Sequence, residues 1–421
     1  MAEFNPRLFL SDLFHAAVDA ADPAKMLKNF LPQKPKGRLI VVGAGKASAH
    51  MANALEAAYD GPLQGLVVTR HGSAVPCDKI EIVESAHPVP DEGSFKAARR
   101  MISLVQGLSA DDTVLGLISG GGSSLLSLPP EAVSPEDKQA VNAELLRSGA
   151  TIHEMNCVRK HVSNIKGGRL AAAAHPAKVV TLVISDIPGD DPALVASGPT
   201  VPSASTRADA LDIIRRYEMT LPDSVTNWMA GDECEAPRPD DPAFTRDEVH
   251  VIAAAQLSLE AAAKLARDAG WRVHILSDAI EGEASDVGQV LAAMVRQTAE
   301  RNQPFERPCI ILSGGETTVT VRHKGRGGRN TELLLSAAFG LDGLSNVHAL
   351  AADTDGIDGS EDNAGAFIDG NTIRSLQDKG LKPLDYLNGN DAYSAFEAID
   401  ALFVPGATST NVNDFRAFLI L

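Results

Sequence analysis

The chain has 421 residues, of which 44% are hydrophobic and 22% charged, and a formal net charge of −17. That length is too great for one ordinary core and that composition excludes global disorder, so two domains are expected, with aliphatic cores because aromatics are only 5%. The negative charge argues against nucleic acid or an anionic membrane as partner, and an anionic substrate would need cations gathered locally.

"MAEFNPRLFLSDLFHAAVDAAD" reads as an amphipathic helix without the basic and apolar regions of a signal peptide. After it, strand and helix patterns alternate. "RLIVV" (38–42) predicts a strand and "KASAHMANALEAAY" (46–59) a helix. Strands follow at 65–69 and 79–84, then a helix over 92–107. "DTVLGLIS" (112–119) and "KVVTLVIS" (178–185) are continuous apolar runs of the kind that doubly covered parallel strands need. This order predicts an α/β fold with a mostly parallel sheet.

Residues 232–248 carry seven acids and three prolines, which predicts a linker or surface excursion and a domain boundary, giving domains 1–240 and 241–421. Beyond it, strands are expected at 249–255 and 271–277, helices at 256–270 and 285–302, and two strands within "PCIILSGGETTVTVR" (308–322). A helix from Arg329, a strand at 347–353 and a last strand near 415–421 complete the order. No apolar run reaches membrane-spanning length. Cys77, Cys157, Cys234 and Cys309 lack metal-ligand spacing and read as free thiols of a reducing cytoplasm.

Five stretches carry candidate chemistry. "LIVVGAGKAS" (39–48) looks like a strand turning into a helix, with Gly43 and Gly45 leaving backbone open to a phosphate and Lys46 beside it. A dinucleotide site would want an acid at the end of the next strand, and Arg70 and His71 stand there instead. "LISGGGSSLLSLP" (117–129) ends a buried strand in Ser119, Gly120, Gly121, Gly122, Ser123 and Ser124, whose amides and hydroxyls suit phosphate oxygens. "RKHVSNIKGGRLA" (159–171) and "VRHKGRGGRNTE" (321–332) gather cations, among them Lys166, Arg169, Arg326 and Arg329. Asp186 at one strand end with Asp190 on the next turn, and Asp353 and Asp355 at another strand end, stand where Mg²⁺ is commonly held. His87 in "SAHPVPDEGS" reads equally as a helix-entry loop and as a substrate contact.

Taken in order, "VVGAGKAS", "AHPVPDEGS", "SGGGSSLL", "HVSNIKGGRLA", "SDIPGDDPALVASGPT", "LSGGETTVTV", "GRGGRNTELLL", "AADTDGIDG" and "TNVND" resemble the glycerate 2-kinases of the MOFRL type, also labelled tartrate-utilisation or hydroxypyruvate reductase proteins. The resemblance covers essentially the whole chain. It implies a Rossmann-like, doubly wound N-terminal domain, a smaller MOFRL-type α/β domain and an active-site cleft between them. It implies ATP-dependent, Mg²⁺-assisted phosphorylation of D-glycerate to 2-phosphoglycerate. The family's lysine falls on Lys46 and its arginine on Arg329, both expected at the transferring phosphoryl group. Asp186 or Asp190 is expected to hold Mg²⁺ or to draw the proton from the attacking hydroxyl, with Asp186 taken as the catalytic residue. Gly43, Gly45, Ser119 to Ser124, Lys166, Arg169, Arg326 and Asn330 are expected to bind substrate or phosphate, and Asp190, Asp353 and Asp355 metal. The chain reads "GATSTNVND" over 406–414 where members read Gly-Pro-Thr-Gly-Thr-Asn-Val-Asn-Asp, which reshapes that loop. The alternatives are an NAD(P)H-dependent hydroxypyruvate reductase and a non-catalytic sensor of nucleotide or sugar acid. A homodimer is left open.

Overall fold

Two six-stranded sheets organise the chain, whose computed structural model describes residues 4–421. The strands are β1 Leu39–Ala44, β2 Gln64–Arg70, β3 Ile80–Ser85, β4 Thr113–Ser119, β5 Lys178–Ile184, β6 Glu248–Ala253, β7 Arg272–Ile275, β8 Gly282–Glu283, β9 Cys309–Ser313, β10 Thr317–Thr318, β11 Val347–Asp353, β12 Gly365–Asp369, β13 Leu402–Phe403 and β14 Asp414–Ile420.

The first sheet has the order β3-β2-β1-β4-β5-β6. β1 runs parallel to both β2 and β4, with Val42 opposite Leu66 on one side and Gly116 on the other. Every residue of β1 and β4 is buried, which is why both read as unbroken apolar runs. The helix Glu92–Val105 starts where Asp91 accepts the Ser94 N–H (3.0 Å), and it buries Phe95, Ala98, Met101 and Val105. The strand order reverses between β1 and β4, the place beyond whose carboxyl ends open α/β sheets bind ligands.

The second sheet has the order β13-β12-β11-β14-β9-β7. Its pairs are antiparallel except β7 with β9. One face packs on the helices Pro6–Ala20 and Ala255–Asp268, the other on Ala284–Arg301 and Arg329–Leu341. Of the two strands expected within 308–322, the second is only β10, two residues paired with β8.

The expected division at 240/241 is corrected. One compact unit is Met26–Ile252, and the other joins the N-terminal segment through Lys25 to Ala253–Leu421. The physical reason lies in two partners that sequence order hides. The N-terminal helix must bury the stripe Leu10, Leu13, Phe14, Ala17 and Val18, and its apolar partner is the second sheet. There Phe14 meets Phe403 and Phe415 edge-on, with centroids 5.0 and 6.0 Å away. Nor is 232–248 a free linker. Phe244 packs into the first unit's core and Asp247 accepts the Val179 N–H (2.8 Å), burial pushing its carboxyl up to about 6. β6 then becomes the last strand of the first sheet instead of the first strand of the second domain. Phe14→Ala is expected to cost about 3–5 kcal/mol in the unfolding of the unit that holds the second sheet. A urea midpoint unchanged from wild type would show that the helix is not part of that core.

Candidate active site

At the end of β1 the chain turns beneath the end of β4. The Gly45 N–H donates to the Val68 carbonyl (3.1 Å) and the Lys46 N–H to the Gly120 carbonyl (2.9 Å). The Ala47 N–H donates to Ser119 Oγ (3.1 Å) and the Ser48 N–H to the Gly45 carbonyl (3.3 Å). A side chain at Gly45 (φ 147°) would run into Ser119, and one at Gly43 into the Leu117 backbone. Gly43, Gly45 and Ser119, expected to bind phosphate, pack closely against neighbouring chain here. The glycines are there because two strand ends approach closely, and the turn's N–H groups are taken up by protein. What the turn presents is the Lys46 side chain.

That side chain leads to the glycine loop. A Cβ at Gly121 (φ 78°) would sit 3.1 Å from His87 Nε2 and 3.2 Å from Lys46 Cγ. One at Gly120 would collide with the Asp186 carboxylate, and one at Gly122 with Ala196. Lys46, His87, Asp186 and Gly120 to Gly122 thus converge where the strand order reverses. Burial, then Lys46 and Arg70, lower the His87 pKa, so its imidazole is neutral at pH 7.

Beside this loop lies a cavity of about 450 Å³ lined by His87, Gly121, Ser123, Ser124 and Lys166 among others. Ser123 Oγ is 2.8 Å from Ser197 Oγ, which donates to Asn156 (3.0 Å). Ser124 Oγ donates to the Gly121 carbonyl (3.1 Å). Lys166 Nζ donates to the carbonyls of Ser123 (2.6 Å) and Leu126 (3.0 Å). Arg169 is not in this lining. Its guanidinium donates to the carbonyls of Lys160, Cys234 and Glu235 (2.8–3.0 Å) and lashes those segments together. Asp190, at φ 52°, sits on the turn after Gly189.

The second unit carries a different cluster. Arg329 begins the helix Arg329–Leu341 and lines a cavity of about 420 Å³ with Asp353, Glu332 and Asn390. Its Nε donates to Asp414 (2.8 Å), one terminal nitrogen to Glu316 (2.5 Å) and the other to Asp353 (2.7 Å). Burial alone would lower the guanidinium's pKa, but Asp414, Asp353 and Glu316 outweigh it and raise it. Arg329 is therefore a clamp on three carboxylates, where the sequence suggested a group open to phosphate. Arg326 is likewise occupied, stacked 4.2 Å over Tyr393 and paired with Glu361 (3.0 Å) and Glu397 (3.4 Å). Asn330 is fully buried and donates to Asp414 (2.8 Å), which makes it part of the helix entry and not a surface contact.

Two residues of this cluster, Asp358 and Arg416, were given no role by sequence reasoning. Asp358 accepts the N–H groups of Asn330 (2.9 Å) and Thr331 (2.8 Å), capping the helix, and burial pushes its carboxyl up to about 6. Arg416, fully buried in β14, donates to Asp414 (2.5 Å) and to the Gly314 carbonyl (2.8 Å). The signal was an Arg in "DFRAFLI", since a charge inside an apolar strand needs a buried partner.

Among the described residues no group of three or more His, Cys, Asp or Glu is placed to hold a metal ion. Mg²⁺ asks for less, one or two carboxylates with water and phosphate completing its octahedron. Asp353 and Asp355 meet that requirement. Burial and then the Asp355 charge push the Asp353 carboxyl well above its usual range, Arg329 opposing. Three carboxylates, Asp353, Asp414 and Glu316, share the guanidiniums of Arg329 and Arg416, and the charge of Asp355 bears on Asp353 beside them. That surplus of negative charge is a donor set suited to a hard divalent cation.

A family model described as a domain of unknown function, DUF4147, matches residues 9–230, and the MOFRL family model matches 309–414. The chain is 40% identical to a protein of Thermotoga maritima named D-glycerate 2-kinase, with 97% of each chain covered. The chain belongs to the MOFRL-type glycerate 2-kinase family. Names within this family differ. A protein of Agrobacterium vitis provisionally named hydroxypyruvate reductase is 52% identical, over 99% of this chain and 95% of its own. A crystal structure of glycerate kinase from Thermotoga maritima superposes with a TM-score of 0.90 at 40% identity, covering 99% of each chain. Both sheets therefore belong to the MOFRL-type architecture, with two α/β units. No described helix is long and apolar enough to cross a membrane.

Proposed function

We propose that this protein is a glycerate 2-kinase that uses ATP and Mg²⁺ to phosphorylate the 2-hydroxyl of D-glycerate. The observation that carries this reading is the turn at 45–48. Its N–H groups are bonded to protein, so it is no pyrophosphate cradle, while its lysine reaches Gly121 and His87. β2 also ends in Arg70 where a dinucleotide fold would place a ribose-binding acid. The family's named kinases and the fold support the same reaction.

Phosphoryl transfer asks the protein for positioning and charge neutralisation more than for covalent chemistry. Lys46 places its ammonium against the phosphoryl group, and the Gly120–Ser124 loop lets that group approach the backbone. Asp186, held against Gly120, takes the proton of the attacking hydroxyl. Asp353 and Asp355 would hold Mg²⁺, with Asp190 a further candidate. When bound, the ion neutralises charge on phosphate oxygens. Arg329 positions Asp353 by its 2.7 Å bond.

A paired assay tests the reading. ADP release should require D-glycerate, with 2-phosphoglycerate as product. NADH or NADPH oxidation by hydroxypyruvate without any ADP release would overturn it in favour of a reductase. Gly120→Ala should drive its methyl into the Asp186 carboxylate and lower kcat about 10²-fold while the circular-dichroism spectrum stays that of wild type. An undiminished kcat would remove Asp186 from the mechanism.

A further inference from the structure

The 450 Å³ cavity has a wall that the residues discussed so far do not explain. It is built by the helices Pro135–Ser148 and Ile152–His161, which contribute Lys138, Gln139, Asn142 and Arg159. Lys138 and Lys166 are 2% and 3% exposed. Lys138 Nζ donates to the carbonyls of Val162 (2.6 Å) and Arg159 (3.4 Å), at the end of the second helix. Arg159 Nε donates to Asn142 (3.3 Å) and so turns with the wall. The described lining residues include these three cations and no carboxylate, in a chain whose net charge is −17.

Burying ammonium groups against carbonyls alone is costly, and each neighbouring cation adds to the cost. The charged groups bearing on Lys138 are Arg159 from the adjoining helix and Arg169 and Lys166 from the segment after it, with neutral His87 across the cavity. Burial and these cations bring Lys138 down to about 7 and Lys166 well below its usual value. A purely structural helix cap would not need three cations around open space. An anion entering the cavity supplies the missing charge. The described lining residues include no Phe, Tyr or Trp on which a base would stack, while Val89, Ala143 and Leu146 add apolar surface.

We infer that this cavity is the acceptor pocket, in which a small 2-hydroxy acid sets its carboxylate against Lys138, Arg159 and Lys166 and its hydroxyl toward Gly121, where Lys46 and His87 meet. The fate of that hydroxyl rests on the kinase reading; the carboxylate site does not. Because an anion favours the charged ammonium, binding takes up a proton, and affinity rises as pH falls through 7.

Calorimetric titration of the full chain with D-glycerate, without nucleotide, in buffers of different ionisation enthalpy, reads this directly. Proton uptake is expected at pH 7.5, with Kd weakening about tenfold between pH 6.5 and 8.5. Lys138→Met should reduce the uptake to what Lys166 alone contributes. Arg159→Met should raise both Kd and the KM for D-glycerate about tenfold or more while leaving the KM for ATP within about twofold. The wild-type uptake needs no variant, so a misfolded Lys138→Met does not spoil the test. D-Glycerate binding without proton exchange, with an unchanged KM in folded Arg159→Met, overturns the pocket even if ADP is released. Binding with uptake but no ADP release supports the pocket and overturns the kinase.

Discussion

Lys46→Ala is expected to lower kcat for D-glycerate phosphorylation by about 10²–10³-fold, the loss typical when one charge-stabilising group is removed from a transition state. The fold should tolerate the change. The backbone N–H of residue 46 remains bonded to Gly120 whatever the side chain, and Gly45 still packs under Ser119. The thermal midpoint should therefore stay within about 2 °C of wild type, as for a surface change of a few tenths of a kcal/mol. Lys46→Arg should recover little, because the planar guanidinium is no substitute for a compact ammonium in a close-packed turn. Turnover within a factor of two of wild type would show that the phosphoryl group is neutralised elsewhere.

Arg329→Met should act mainly on stability. It removes the guanidinium held by Asp414, Asp353 and Glu316; Asp414 keeps Arg416 and Glu316 is half exposed, but the buried Asp353 carboxylate is left without its cationic partner. Breaking a buried ion pair from one side costs about 3–5 kcal/mol, which chemical denaturation would read. The cost should shrink as pH falls. Asp353 already has its pKa raised, so it protonates first, and a neutral carboxyl no longer needs the guanidinium. Stability contributed by a group with a raised acid pKa is lost as pH rises, so the deficit of the variant grows toward neutrality. A variant as stable as wild type at pH 7 would mean that the three carboxylates do not depend on Arg329. A full loss of activity without loss of stability would restore it as a direct phosphate ligand.

Much of the architecture was legible in the chain. The apolar runs at β1, β4 and β5 announced a parallel sheet because strands covered on both faces need apolar residues throughout. Glycine and lysine at 43–46 and glycine at 120–122 marked the right end of that sheet. What packs against them was not legible. A glycine is required equally by an approaching ligand and by an approaching strand, and only the position of Ser119 and Leu117 distinguishes the two. Arg169, Arg326 and Arg329 stood out as unpaired cations because their partners are distant in sequence. Arg329 finds Asp414 85 residues away. Lys138 was overlooked for the opposite reason. It lies in an ordinary-looking helix, yet it shares the buried stripe of Val141 and Leu145 at helical spacing, which was the available signal.

Local sequence alone determined the strands, most helices and the place of the glycine loop, since these depend on apolar periodicity and turn chemistry among near neighbours. Tertiary structure alone decided which unit received the N-terminal helix, which glycines face protein, and which cations face a cavity. Those outcomes depend on which surfaces meet across hundreds of residues. An apolar stripe states that it must be buried and a charge states that it must be compensated, but neither names its partner.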